Sequence, residues 1–163
     1  MTSLIGLIGQ KDEIKMKLIS ACLLGIRCAW SGDDRYKNER AVKLAGTETL
    51  IPVCPEQLGG LPTPRPPQEI QSGTGRDVLD GKCTVVSKNG DDVTRRFVTG
   101  AEETLRIAKQ FSIKEFIAKS RSPSCGCGQI YDGSFSGRLV KGDGVTAALL
   151  KMNGIRIILE EDL

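Results

Sequence analysis

The side chains that could carry chemistry in this sequence are mainly thiols. The chain of 163 residues contains six cysteines and no histidine. Without histidine, proton transfer must use carboxylates, lysines, hydroxyls or thiols, and a metal site must rely on thiolate and oxygen ligands. The cysteines are Cys22, Cys28, Cys54, Cys83, Cys125 and Cys127.

The context of these thiols favours metal binding or thiol chemistry over disulfides. The opening MTSLIGLIGQ has neither a basic start nor a cleavage site of small residues, which predicts a cytoplasmic protein. No apolar run approaches the roughly 18–20 residues that span a bilayer, so no membrane association is expected. Structural disulfides are rare in the cytosol. The sequence has no CxxC pair, which argues against a zinc ribbon.

Polar residues near two of the cysteines are candidates for the remaining chemistry. Glu56 follows Cys54 by two positions and is a candidate for proton transfer, although a lone loop carboxylate is more often a solvated surface residue. Ser120, Ser122 and Ser124 precede Cys125. Ser120 and Ser124 are candidates for contacts with a substrate, although Ser-Pro-Ser is also typical of a turn.

Two arginines and two aromatic residues complete the candidates. Arg65 lies in a proline-rich segment, and Arg121 lies just before Cys125. Either guanidinium could bind an anionic or carbonyl-bearing substrate, or form a surface ion pair. We take Arg65 as the candidate for substrate binding. Trp30 and Tyr36 are candidates for lining a pocket.

The elements that must position these residues follow an alternating pattern. Helical patterns separate four short apolar runs, which predict buried strands over residues 17–24, 49–55, 113–120 and 155–161. This alternation predicts an α/β fold, a Rossmann-like, mainly parallel sheet of about four strands with flanking helices and a small β-hairpin arm. We expect one domain over residues 16–163, preceded by an N-terminal extension over residues 1–15.

The predicted sheet brings three of the cysteines together. Cys22, Cys54 and Cys125 lie at or after the ends of the first three strands, and ligands of such sheets collect at the carboxyl ends of the strands. Thiolates are the ligands of iron–sulfur clusters, and nearby glycines let the backbone approach such a group. A cysteine is also often a small buried apolar residue, and the residue types alone leave both interpretations open.

The remaining segments carry local signals. Asn89–Gly90 predicts the turn of the hairpin arm within residues 79–97, where Cys83 is expected to be a buried thiol. Apolar spacing predicts a helix over 98–111 that begins at a Thr99 cap. The proline-rich residues 56–70 and the glycine- and serine-rich residues 120–137 are expected to be loops.

Composition favours a small-molecule substrate over nucleic acid. The net charge of +3 is mild, and aromatic residues make up only 4% of the chain, so a base-stacking platform is poorly supplied. No GxGxxG or P-loop sequence is present. Nothing in the sequence requires more than a monomer.

Four segments resemble one bacterial family. SACLLGIRC, PVCPEQLGGLPTPRPPQEI, KSRSPSCGCGQIYDGSFSG and GDGVTAALL are similar, in family order, to the domain of unknown function 523, which includes the thiouracil desulfurases. The resemblance runs from about Met16 to the C-terminus. It implies an enzyme that removes sulfur from a thiouracil-like thiocarbonyl compound without redox chemistry and releases hydrogen sulfide.

The resemblance also implies roles for individual residues. A 4Fe–4S cluster would be held by the three thiolates of Cys22, Cys54 and Cys125, which leaves one iron open to the sulfur of the substrate. Glu56 and Ser122 match the catalytic groups of the family. Cys28 remains open as a fourth ligand, a buried thiol or a group on the substrate side.

The chain departs from the family pattern in two places. Where the family commonly reads C-R-Y-D-G, this chain reads C-A-W-S-G over residues 28–32, and Cys127 is an additional thiol beside a predicted ligand. The alternative function is a non-catalytic module that binds zinc or an iron–sulfur cluster as a sensor or interaction domain. Three thiolates imply an open metal position, whereas four imply a closed structural or sensing site.

Overall fold

A computed structural model describes residues 14–163, so residues 1–13 of the predicted N-terminal extension lie outside the described residues. The strands in this part are β1 (Met16–Ser20), β2 (Thr49–Val53), β3 (Gln68–Ile70), β4 (Val85–Ser87), β5 (Glu115–Ala118), β6 (Gln129–Tyr131), β7 (Leu139–Lys141) and β8 (Arg156–Leu159). The α-helices are α1 (Glu39–Ala45), α2 (Pro55–Leu58), α3 (Gly75–Leu79), α4 (Thr94–Gln110) and α5 (Val145–Met152). Short 3₁₀ helices cover Ala21–Leu24 and Glu160–Asp162.

The main sheet has four parallel strands in the order β2-β1-β5-β8. The α/β fold predicted from the alternating sequence pattern is therefore confirmed. In β1, Leu18 and Ile19 have no exposed surface and belong to different core clusters, because successive side chains of a strand point to opposite faces. A strand buried on both faces gives the continuous apolar run seen in the sequence.

Helices cover both faces of this sheet. On one face, Leu18 and Phe116 pack with Ala108 of α4 and Leu150 of α5. On the other face, Ile19 packs with residues that include Ala41 of α1. Each fully buried large apolar side chain contributes about 1.5–3 kcal/mol relative to exposure. The central strands of the main sheet are therefore buried between two layers of helices.

Two small antiparallel hairpins lie outside the main sheet. Strand β3 pairs with β4, and β6 pairs with β7. Ile70, Val85 and Ile130 from these strands form a third core cluster with Phe97 of α4 and Val145 of α5. This core attaches the hairpins to the helices beside the main sheet.

The first strand is shorter than predicted. It ends at Ser20, and the apolar residues that follow form the 3₁₀ turn Ala21–Leu24. Gly25 closes this turn at φ +81°, and its amide donates to the carbonyl of Cys22 at 3.1 Å. Leu23 is buried although it lies in the turn. Buried turn residues are apolar like those of a buried strand, so the apolar pattern alone could not show where the strand ends.

The prediction that a Thr99 cap starts the long helix was wrong. Helix α4 begins at Thr94, and Thr99 lies inside it. The signal for its start is Asp92, whose side chain accepts a hydrogen bond from the amide of Thr94 at 2.9 Å. A short acidic side chain that binds the backbone two residues on is typical of a turn before a helix.

The hairpin arm has a different partner from the one expected. The Asn89–Gly90 turn is present, with the Gly90 amide donating to the carbonyl of Ser87 at 2.8 Å. Strand β4 pairs mainly with β3, from the proline-rich segment, and the chain after the turn adds only an isolated bridge at Asp92. Both segments that were expected to be loops therefore contain regular structure, including β3 and β6.

None of the helices within residues 14–163 has the length and apolar character needed to cross a membrane.

Candidate functional site

A cavity of about 360 Å³ lies at the carboxyl edge of the main sheet. Strands β1, β2 and β5 end there, because parallel strands have their carboxyl ends on one side. The cavity is lined by all the residues predicted for the site: Cys22, Cys28, Cys54, Glu56, Arg65, Ser120, Ser122, Ser124 and Cys125. The convergence expected from the sequence is present, while the roles assigned to these residues remain predictions.

Each of the three predicted cluster ligands is presented by a different local structure. Cys22 lies in the 3₁₀ turn that follows β1, and Cys54 precedes the first residue of α2. Cys125 lies in the loop after β5 and is 5% exposed. Ser122 shapes this loop, since its Oγ accepts hydrogen bonds from the amides of Ser124 and Cys125, both at 3.1 Å.

Two of these thiols resist ionisation in the absence of a metal. Burial raises the pKa of Cys22 to about 12, with further contributions from the nearby Cys54 and Glu56, whereas Lys119 lowers it. Burial likewise raises the pKa of Cys125, although a hydrogen bond with Ser20 lowers this pKa in part. A metal that binds here must displace these protons, so metal binding is linked to proton release.

Cys54 and Cys28 act as a pair. As a thiol, Cys54 donates to the carbonyl oxygen of Cys28 at 3.6 Å. As a thiolate, it is stabilised by a hydrogen bond from the Cys28 thiol, and this lowers the pKa of Cys54 to about 7 despite burial. The same bond and burial raise the pKa of Cys28. Cys54 is therefore the first of the pair to ionise.

The other two cysteines do not line the cavity. Cys83 is half-buried rather than buried as predicted, and its Sγ donates to the carbonyl of Thr74 at 3.7 Å. Cys127 lies near the ion pair of Lys151 and Asp143, with its sulfur 4.0 Å from the lysine nitrogen. The structure thus separates four thiols around the cavity from two outside it.

Glu56 is held by Arg65. The Nε of Arg65 donates to Oε2 of Glu56 at 2.8 Å, and Nη2 donates to the same oxygen. The guanidinium also donates to the carbonyl oxygens of Cys28 and Pro62 and to the hydroxyl of Thr63. Its N–H groups are thus engaged within the protein, and the predicted contact of Arg65 with a substrate stays a prediction.

Close packing of two helices places Glu56 at this point. Helix α2, which carries Glu56, crosses α4 at Gly100, where an added Cβ would lie 1.8 Å from the carbonyl oxygen of Pro55. Only a residue without a side chain permits this approach. The short α2 therefore depends on α4 for its position.

The serines are tied to a network that the sequence did not reveal. Ser120 donates from its amide and its hydroxyl to the buried Glu160, at 2.7 and 2.9 Å. Glu160 also pairs with Lys119, whose nitrogen lies 4.9 Å from the ring centroid of Tyr36. Ser124 shares a hydrogen bond with Thr146 of α5 at 2.9 Å. Lys119 lines the cavity and was missed, because a lysine at a strand end is common on surfaces.

Aromatic residues line the cavity as well. The expectation that Trp30 and Tyr36 line a pocket is confirmed, and the indole of Trp30 donates to the hydroxyl of Tyr36 at 3.1 Å. Tyr131 and Phe135 also line it and were missed. They lie in β6 and the loop after it, inside a segment that the composition marked only as a loop.

Four thiols line one cavity, and thiolates are the ligands that iron–sulfur clusters require. Within the described part of the chain, no three His, Cys, Asp or Glu side chains are grouped closely enough to hold one metal ion. A zinc ion with Zn–S bonds of about 2.3 Å needs its thiolates within about 4 Å of each other. In an iron–sulfur cluster each thiolate binds a different iron atom, so the thiolates lie farther apart than they do around a single ion.

Comparison with known proteins agrees with this geometry. The family model described as 2-thiouracil desulfurase matches residues 18–162. The uncharacterized protein YbbK of Bacillus subtilis (strain 168) is 47% identical over 148 residues, which cover 91% of this chain and 97% of that protein. The solved structure of the 4Fe-4S-dependent thiouracil desulfidase TudS matches with a TM-score of 0.76 and 38% identity, over 91% of this chain and 93% of that one. The chain therefore belongs to the 2-thiouracil desulfurase family.

Proposed function

We propose that this protein is a 4Fe–4S-dependent desulfidase that hydrolyses the C–S bond of a thiolated nucleobase or a similar thiocarbonyl compound. The reaction converts C=S and water into C=O and hydrogen sulfide, so no electron donor or acceptor is consumed. The observation that carries the proposal is the convergence of Cys22, Cys54 and Cys125 on one cavity together with Glu56. The relative TudS, 38% identical, is itself a thiouracil desulfidase.

Three thiolates are proposed to hold the cluster. Cys22, Cys54 and Cys125 come from three separate strand ends and line one cavity. When bound through three thiolates, a 4Fe–4S cluster supplies an iron with an open position, which is a Lewis acid for a soft sulfur atom. The ammonium group of Lys119 supports this role, since it lies close enough to Cys22 to favour the thiolate form that binds iron.

Glu56 is proposed to activate the water. Arg65 engages Oε2, whereas Oε1 accepts no hydrogen bond from the described residues. The side chain is 13% exposed, so the carboxylate is oriented by protein but still reachable from the cavity. A carboxylate in this position can remove a proton from water as the water attacks the thiocarbonyl carbon.

The serines are proposed to handle protons and to contact the substrate. Ser122 Oγ accepts two amide hydrogen bonds and donates none within the described residues, which leaves its O–H available to relay a proton toward the leaving sulfur. Ser120, Ser124 and Arg65 also line the cavity and are proposed to contact the substrate.

One observation supports the alternative of a non-catalytic sensor. Cys28 lines the same cavity and its thiol contacts Cys54, so a fourth thiolate is close to the site. A cluster held by all four thiolates would have no open iron. The number of cysteines needed for cluster binding therefore separates the two functions.

The test is a product balance under anaerobic conditions. Protein with a reconstituted cluster is incubated with 2-thiouracil in H₂¹⁸O, without any reductant. We expect one hydrogen sulfide for each uracil formed, with ¹⁸O in the uracil, and no product from protein lacking iron. A protein that binds its cluster through four cysteines and releases no sulfide would refute the enzymatic proposal in favour of the sensor.

A further inference from the structure

The aromatic residues of this protein are concentrated around one cavity. The chain has one tryptophan, two tyrosines and four phenylalanines. The tryptophan, both tyrosines and one phenylalanine line the cavity, as Trp30, Tyr36, Tyr131 and Phe135. Of the other phenylalanines, Phe97 and Phe116 are buried in the core and Phe111 is exposed. Of the aromatic residues that lie outside the core, all except Phe111 therefore line the cavity of the candidate site.

Trp30 is fixed in position by contacts on several sides. Its indole nitrogen donates to Tyr36, and its carbonyl oxygen accepts from the amide of Arg65 at 2.9 Å. The guanidinium of Arg35 lies 5.2 Å from the centre of the ring, at the distance of a cation–π contact. Arg35 does not line the cavity, so it packs on Trp30 from outside. Trp30 is thus held by three contacts and lines the cavity.

Phe135 is held at the cavity by a loop with a dedicated anchor. Its backbone has φ +56°, in the left-handed region that phenylalanine rarely adopts. The buried carboxylate of Glu69 accepts from the amides of Phe135 and Gly133, at 3.0 and 2.8 Å. Gln71 adds a hydrogen bond to the carbonyl of Gly133 at 2.8 Å. A strained backbone held by a buried carboxylate indicates that the position of Phe135 matters.

We propose that Trp30 and Phe135 determine specificity, by selecting flat unsaturated rings over acyclic thiocarbonyl compounds. This inference rests on the proposed function for the identity of the substrate, and it adds what the cavity recognises in it. Aromatic side chains bind the faces of planar bases by stacking, whatever polar groups the base carries. Glu69 is then a positioning residue, which acts by holding Phe135.

Calorimetric binding of uracil to the cluster-loaded protein tests the inference, because this ring lacks sulfur and is not turned over. We expect Trp30→Ala and Phe135→Ala each to weaken uracil binding about tenfold or more, since a stacked base contributes about 1–3 kcal/mol. Trp30→Phe is expected to keep most of the affinity. Phe135→Leu, which has an apolar side chain without a ring, is expected to lose it. Phe111→Ala, outside the cavity, is the matched control and should bind as the wild type does.

Urea, which has the carbonyl without the ring, provides the second arm. By the same calorimetry, both alanine variants should change the affinity for urea less than threefold, and Glu69→Gln should weaken the binding of uracil but not that of urea. The inference is overturned if the wild type binds no uracil, if the alanine variants bind uracil as the wild type does, or if Trp30→Phe binds as weakly as Trp30→Ala. A wild type that binds uracil through these rings but releases no sulfide from 2-thiouracil would refute the proposed function alone.

Discussion

Arg65 donates from Nε to Oε2 of Glu56 at 2.8 Å, and its side chain is only 2% exposed. A buried cation thus faces a carboxylate that lines the cavity together with the thiols. Because the guanidinium also binds the carbonyl oxygen of Cys28 at 3.0 Å, it connects α2 to the loop that carries Cys28 and Trp30. The pair is therefore part of the architecture of the site as well as of its charge balance.

Removal of Arg65 should destabilise the fold strongly. Arg65→Ala leaves Glu56 with a buried charge and no partner, and loss of one member of a buried pair costs about 3–5 kcal/mol. Urea unfolding measures the change in the free energy of unfolding. Arg106→Ala is the control, since Arg106 forms an exposed pair with Glu103 that contributes at most about 1 kcal/mol. Equal effects of the two substitutions would contradict a structural role for the buried pair.

Replacement of Glu56 should affect turnover and leave the cluster in place. Glu56→Gln keeps the shape of the side chain but removes the proposed base, so kcat for sulfide release should fall on the order of 10²–10⁴-fold. Iron and acid-labile sulfide per chain should stay at the wild-type level. Glu103→Gln, on the exposed face of α4, serves as the control and should retain activity. Full turnover by Glu56→Gln would show that another group activates the water.

The cysteines should divide into two groups by their effect on the cluster. Cys22→Ser, Cys54→Ser and Cys125→Ser should lose most of the bound iron, because each removes one of three thiolates. Cys83→Ser and Cys127→Ser, outside the cavity, should keep it. Cys28→Ser is the deciding variant. If Cys28→Ser keeps the iron content of the wild type, the cluster has three ligands and an open iron. If the variant loses its iron, four ligands and the sensor are supported.

Stability of the metal-free protein should fall in alkaline solution. Burial raises the pKa of Cys22 from 9.0 to about 12, so the folded state keeps a proton that the unfolded state loses. The stabilisation is complete below about pH 9 and is lost as the pH rises toward 12. Urea unfolding of wild type and Cys22→Ser between pH 7 and 10.5 measures it. The difference between the two proteins should shrink with rising pH, and a constant difference would contradict the shift.

A methyl group on Gly100 should disturb the helix that carries Glu56. The added Cβ of Gly100→Ala would lie 1.8 Å from the carbonyl of Pro55, so α2 must move away from α4. Overpacking of this kind costs about 1–3 kcal/mol, and we expect sulfide release to fall with stability. Gly46→Ala is the control, because Gly46 has a helical backbone and its nearest contact is 3.3 Å. Activity at the wild-type level in Gly100→Ala would show that α2 tolerates the shift.

Much of the architecture could be predicted from local patterns along the chain. Apolar runs such as residues 113–120 alternate with helical segments, and burial on both faces of a parallel sheet requires such runs. The rule that ligands collect at the carboxyl ends of the strands then placed Cys22, Cys54 and Cys125 together. The absence of histidine limited proton transfer to carboxylates, lysines, hydroxyls and thiols. These inferences need only composition, periodicity and topology.

The tertiary structure decided the partners of the side chains. Arg65 and Glu56 are nine residues apart, and nothing in their spacing indicates that the guanidinium binds the carboxylate. Phe135 reaches the cavity because Glu69, far away in sequence, anchors its loop. Strand β3 lies within a proline-rich segment and is a strand because its backbone pairs with that of β4. Such contacts depend on distances between segments that are remote in sequence, and local propensity carries no information about those distances.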